Sequence, residues 1–151
     1  MRLTVKTETG LTEPIITLHL PENDPNAAQL RAQLESFLAA SMTFTVSQAG
    51  HTTQLPLTTV LFFEATGHKV RAHTRTTSYQ ISQSLASLTT ILPTNFCRVS
   101  KSAIVNTQLV RALTKSLTGN LIEFEATHKQ LYASRRYYRE LKLSLEKESF
   151  K

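Results

Sequence analysis

The chain has four glycines in 151 residues, and each interrupts a run in which apolar and polar side chains alternate. Gly10 follows Leu3–Thr9, Gly50 sits inside MTFTVSQAGHTTQLP, Gly67 inside VLFFEATGHKVRAHT, and Gly119 between LVRALTKS and LIEFEAT. A period of two on both sides of a residue that accepts positive φ is the signature of a β-hairpin. A chain punctuated in this way folds most simply into antiparallel sheets of short strands. RTTSYQIS, FCRVS and KQLYA supply further short strands.

Helical spacing occurs in three places. Asp24 is placed to cap a helix with Pro25 at its first position, and Leu30, Leu34, Phe37 and Leu38 form one stripe ending near Ala40. Leu85, Leu88 and Leu92 mark a second helix that Pro93 stops. SRRYYRELKLSLEKE reads as a third, capped by Ser134, with Tyr138, Leu141 and Leu145 facing inward. The fold class expected is mainly β, α+β overall. Leu3–Thr9 and Pro14–Leu20 read as a hairpin around TGLTE, so residues 1–41 form a strand–strand–helix unit. About 40 residues bury too little surface to stand alone. This unit is expected to serve dimerisation or the docking of a partner, and residues 42–151 form the main domain.

Composition narrows the function. No run approaches the ~18 apolar residues that span a bilayer, and MRLTVKTETG lacks the apolar segment of a secretory signal. Cys97 is alone, which excludes an internal disulfide and any multi-cysteine metal site. The expected compartment is the cytoplasm. Charge is unevenly spread: residues 1–60 sum to −2, 61–97 to +2, and 98–143 to +6. A basic C-terminal half points to a polyanion, although a solvated basic face would look the same.

Three groups of hydrogen-bond donors stand out. In NFCRVSKSAIVNT, strand alternation places Phe96, Arg98 and Ser100 on one face and Cys97 and Val99 on the other. Alternation then breaks, so Ser100, Lys101 and Ser102 form a short loop held between buried ends, and Asn106 can close the returning turn. In YASRRYYRE, Arg135 and Arg136 fall in the first turn of the expected helix, where cations oppose the helix dipole. A bound anion would remove that conflict; two solvated arginines are the plainer alternative. The third group is His68 with Lys69 at the tip of TGHK.

Taken in order, VLFFEATGHKVRAHT, YQISQSLASLTTILPTNFCRVSKSAIVN and YASRRYYRELK resemble the LytTR family of bacterial DNA-binding domains. The resemblance runs from about Met42 to Leu145. It implies antiparallel β sheets packed on one another, and contact with successive major grooves through loops rather than a recognition helix. Carried onto this chain, the implied DNA-binding residues are His68 and Lys69, then Arg98, Ser100, Lys101 and Ser102, then Arg135 and Arg136. Arg136 is the expected base reader, since its fork matches guanine O6 and N7, and Lys101 the second contact. Arg98, Arg135 and the serines are expected on phosphates, with a bridge from Arg98 to Glu64 or Glu123 as the alternative.

The resemblance further implies a transcription regulator acting as a homodimer on direct-repeat promoter sites in double-stranded DNA. The region ahead of the match is too short for a receiver domain and has no acidic cluster. The chain therefore looks like the stand-alone subgroup, some of which are restrained by a small membrane protein. No cofactor, metal or small-molecule substrate is expected.

Three other classes are weighed beside this one. For an enzyme, His19, His51, His68, His73 and His128 show no metal-ligand spacing, and Cys97 alternates into a strand as a buried thiol would. For an RNA or single-strand binder, Tyr79, Phe96, Phe124 and Tyr132 would have to form an exposed platform. A protein-interaction module would bind no nucleic acid in a salt-sensitive way.

Overall fold

The computed structural model describes residues 4–12 and 15–149. Thirteen elements follow in order: α1 (Ala27–Ser41), β1 (Thr43–Gln48), β2 (His51–Pro56), β3 (Phe62–Thr66), β4 (Lys69–His73), β5 (Ser78–Ile81), α2 (Leu85–Ile91), β6 (Phe96–Ser100), β7 (Ala103–Asn106), β8 (Val110–Lys115), β9 (Asn120–Phe124), β10 (Gln130–Ala133) and α3 (Tyr138–Ser149). All strand pairs are antiparallel. Seven strands form one sheet in the order β2-β1-β5-β4-β3-β7-β6, and three form a second in the order β10-β9-β8. The expected β-rich α+β class is therefore what the chain adopts.

The period of two explains how one sheet serves two cores. On β3, Phe63 joins a core with Phe44, Val46, Leu85, Leu88 and, from β7, Ile104. The neighbouring Phe62 and Val105 point the other way, into a core with Val99, Ile122, Phe124 and Leu141. The strands β3 and β7 are thus covered on both faces: α2 packs on one side, the small sheet and α3 on the other. That is why VLFF and AIV are continuous apolar runs rather than alternating ones. Each such fully buried side chain contributes about 1.5–3 kcal/mol.

The glycine turns behave as their neighbours dictate. Ala49 and Gly50 link Gln48 to His51 with φ of +50° and +81°, the backbone of a type I′ turn. Ser84 caps α2 by accepting from the Ser87 N–H, and the helix ends just before Leu92 and Pro93, as expected.

Among the described residues, the expected N-terminal hairpin is not formed. Residues 4–8 and 15–20 carry no strand, and they lie almost wholly exposed; Leu3 and Pro14, the expected first residues of its strands, lie outside the described residues. A two-stranded ribbon without a covering layer is marginal in water, and here Val5, Ile15 and Ile16 are uncovered. The helix of the unit does form. Asp24 Oδ1 accepts from Asn26 N–H at 2.8 Å, but in a turn ahead of the helix: α1 begins at Ala27, two residues after the expected first position at Pro25, and it packs against the Leu57–Thr59 turn. Its stripe is only half covered: Leu30 and Leu34 are half-buried, Phe37 exposed.

Candidate nucleic-acid interface

Each donor group sits on a turn, and the register of the strands decides where that turn lies. Thr66 pairs with Lys69, so Gly67 and His68 form a two-residue connection between β3 and β4. Gly67 has φ +62° while His68 stays negative, the pattern of a type II′ turn with glycine first. β7 runs antiparallel to β3 with Ala103 opposite Glu64. The turn before Ala103 therefore lies at the same end of the sheet as His68 and Lys69.

That second turn is braced on several sides. Ser100 pairs with Ala103 across a register shift, leaving Lys101 and Ser102 at the tip. The Ser102 carbonyl accepts from Ala65 N–H of β3 at 2.8 Å. Ser102 N–H donates to Ser100 Oγ at 3.1 Å. Arg98 folds over the turn: its Nε donates to the Ser100 carbonyl at 2.8 Å, and its Nη2 to the Lys101 carbonyl. Arg98 thus bridges neither Glu64 nor Glu123, which face His73 and Arg111. Further down the strand, Asn106 anchors the β7 end. Its Nδ2 donates to the Val60 carbonyl at 3.1 Å, and its Oδ1 accepts from Asn95 Nδ2 and Gln108 N–H. The Lys101 side chain, by contrast, projects into solvent.

The third turn is tied to the second through β6. Ser134 N–H donates to the Val99 carbonyl at 2.8 Å, and Tyr137 N–H closes back onto the Ser134 carbonyl at 3.1 Å. Arg135 and Arg136 occupy the two central positions of this turn, both exposed. They do not lie in the first turn of α3, which begins at Tyr138. The Tyr137–Ser134 bond closes this turn ahead of the helix, and the Leu141 N–H donates to the Tyr137 carbonyl as α3 carries Leu141 into the second core. Arg136 lies over the Tyr137 ring, 5.8 Å from its centroid, a cation–π contact that limits its swing. Lys101 and Arg136 are each two residues from the Ser134–Val99 bond. Two extended residues reach about 7 Å, so the two Cα atoms lie within about 20 Å of one another. Among the described residues, none of Lys69, Lys101, Arg135 and Arg136 is in an ion pair. The result is a set of cations on braced turns, none of them in an ion pair among the described residues.

The family model of the LytTr DNA-binding domain matches residues 50–146. The chain belongs to the LytTR family. Its fold is similar to that of a solved structure, the LytTr DNA-binding domain of a methyl-accepting/DNA response regulator from Bacillus cereus. The TM-score is 0.62 at 20% identity, covering 68% of this chain and 95% of that one. Comparison with curated protein sequences finds no match. The chain thus carries a DNA-binding domain of the kind used in transcription regulation, and its family is a binding rather than a catalytic one. The LytTR match begins after α1 and within the β1–β2 hairpin.

Of the eight residues expected from sequence, His68 and Lys69 lie at the same end of the large sheet as the Arg98–Ser102 turn, and the Ser134–Val99 bond ties the turn of Arg135 and Arg136 to that strand; Arg98 is turned inward as a brace, with Ser100 half-buried beside it. Phe124, Phe96 and Tyr79, three of the four aromatics that a single-strand platform would need, are taken up by the two cores; Tyr132 is 59% exposed. Burial pushes the Cys97 thiol above its usual range, opposite to what a nucleophile requires. Lys115, to which the sequence analysis gives no role, stands beside the SRR turn in TKSLTGN, a lysine next to a glycine turn as in ATGHK.

Proposed function

We propose that this LytTR chain is a bacterial transcription regulator of the cytoplasm that binds promoter duplexes sequence-specifically, its turns entering successive major grooves. Arg136 reads a guanine edge with its fork. Lys101 meets a base edge or phosphate of the adjoining groove, and His68 with Lys69 extends the contact from the β3–β4 tip. Arg135, Ser100 and Ser102 position the protein on phosphates. Arg98 acts chiefly by holding the Lys101 turn. The observation that carries this reading is the Ser134–Val99 bond, which fixes the arginine turn to the strand that leads into Lys101.

Two copies act together on direct repeats. Residues 1–41 are the contact unit between copies, or the surface that a restraining membrane protein holds; 42–151 are the DNA-binding domain. Support comes from the exposed apolar side chains gathered in the N-terminal segment and α1: Val5, Ile15, Ile16, Leu18 and Phe37. Such a concentration marks an interaction surface. The test of the DNA reading is Arg136→Ala, with binding measured on the selected operator and on scrambled duplex. Specific binding should weaken by about 1–3 kcal/mol with relaxed preference at one position. Unchanged affinity and preference would remove Arg136 as the reader.

A further inference from the structure

A fourth turn stands on the same edge. β9 pairs with both β8 and β10, placing Asn120 opposite Lys115 on one side and Ala133 on the other. The β8–β9 tip, Ser116 to Gly119, is therefore beside the strand end from which the arginine turn departs. The tip is tightly made. Ser116 N–H and Oγ both donate to the Gly119 carbonyl, at 2.9 and 2.8 Å, and Ser116 Oγ lies 3.0 Å from Thr118 Oγ1. Gly119 has φ +155°, and a Cβ there would stand 3.1 Å from the Tyr132 ring.

Between this tip and the arginine turn is a cleft lined by Lys115, Leu117, Asn120, Arg135 and Tyr138. Two of its walls carry a cation and none carries a carboxylate. Lys115 Nζ lies over the Tyr138 ring, 5.8 Å from its centroid, and is in no ion pair among the described residues. A cation held by a ring, without an opposing charge and facing an arginine across a cleft, is arranged for an anion that arrives from outside. Leu117 projects fully into solvent at the lip, where an apolar side chain can lie against a sugar rather than a phosphate.

We infer that this cleft holds a backbone phosphate of the duplex next to the groove that Arg136 enters, with Lys115 and Arg135 as its two ligands. The inference rests on the DNA reading above and extends the footprint by one turn. Lys115 carries no sequence information in this role; it sets register and strengthens binding to every duplex alike.

The experiment is a salt titration of binding by the full chain, on operator and scrambled duplexes, for wild type, Lys115→Gln, Lys115→Arg and Lys142→Gln. One neutralised phosphate contributes about 0.9 to the slope of log K against log salt. Lys115→Gln should lower the slope by about 0.9 on both duplexes and weaken binding about eightfold at 0.1 M salt, while base preference stays as it was. Lys115→Arg should restore the slope. Lys142 on α3, paired with Glu146, controls for loss of a charge elsewhere and should leave the slope unaltered. A Lys115→Gln slope equal to that of wild type overturns the inference, as does an equal change with Lys142→Gln. If wild type itself shows no salt-dependent duplex binding, the DNA reading fails first. If Arg136→Ala loses specificity while Lys115→Gln changes nothing, only the fourth contact is lost. Lys115 is on an exposed strand end, so matching circular dichroism melts would show that the variants are folded.

Discussion

Arg98 separates two roles that a cation at a DNA-binding surface can play. Its Nε and Nη2 are engaged on the carbonyls of Ser100 and Lys101. Replacing it with glutamine removes two charge-assisted bonds across a two-residue turn. Each contributes about 1 kcal/mol net where water has partial access. The turn then has to be ordered when DNA binds, and that ordering appears as weaker affinity. The expected loss is about 1–2 kcal/mol, a roughly 5- to 30-fold higher Kd. A phosphate contact would cost a similar amount, so affinity alone does not decide. The salt slope does. A brace neutralises no phosphate, and Arg98→Gln should keep the wild-type slope, whereas loss of a phosphate contact lowers it by about 0.9. Amide hydrogen exchange gives a second readout in the free protein: the Ser102 N–H, bonded to Ser100 Oγ, should exchange faster in the variant. A slope reduced by a full contact, with Ser102 exchange unchanged, would refute the brace.

Two further predictions concern the scaffold. Asn106 is 2% exposed, and Asn106→Ala leaves the Val60 carbonyl and the Gln108 N–H without their partner. Losing the buried bonds should cost about 3 kcal/mol, seen as a fall in melting temperature of about 6–12 °C for a chain of this size; a drop under 2 °C would mean that water replaces the side chain fully. His73 is stacked on Phe62 with ring centroids 4.3 Å apart. Burial first, then the charges of Lys129 and Arg71, hold its pKa down to about 4. Because the folded pKa lies below the unfolded value, the unfolded state binds more protons between the two. This contribution is complete above about pH 6.5 and is lost as pH falls toward 4. Between pH 7 and pH 5 it should diminish by about 2 kcal/mol. Urea unfolding at both pH values should show that difference in wild type, and a smaller one in His73→Gln.

Most of the main domain was legible because its signals are local. Period-two runs broken by Gly50, Gly67 and Gly119 fix hairpins whose partners are adjacent in sequence. Leu85, Leu88 and Pro93 likewise fix α2. What could not be read is pairing at a distance. Nothing in SRRY says that the Ser134 N–H will bond to Val99, or that the Tyr137 N–H will close a turn onto the Ser134 carbonyl, with α3 beginning only at Tyr138 and both arginines on the turn ahead of it. The same limit explains Arg98. Alternation placed it on the face of Phe96, away from Cys97 and Val99, as the two cores bear out, but a side chain long enough to reach Glu64 or Glu123 is also long enough to fold back on its own turn. The N-terminal hairpin failed for the converse reason. Alternation in residues 15–20 is real, but a strand needs a neighbour and a covering layer, and among the described residues this segment has neither.

The arrangement of the cores sets how far apart the two cationic turns stand. Lys101 belongs to the large sheet, whereas Arg136 leaves the small one, so their separation is set by how the two sheets pack. Phe62 stands at that junction. It stacks on Phe124 of the small sheet, with ring centroids 5.3 Å apart, and on His73 of β4 on its own sheet. Leu141 of α3 is fully buried in the same core, and the Ser134–Val99 bond crosses between the sheets at the edge itself. A packed interior of this kind resists sliding, so the spacing between the two cationic turns is held by the cores. On the function proposed above, recognition by turns then requires little ordering on binding, because the order is already supplied by residues such as Phe62 and Asn106 that do not form part of the exposed cationic row.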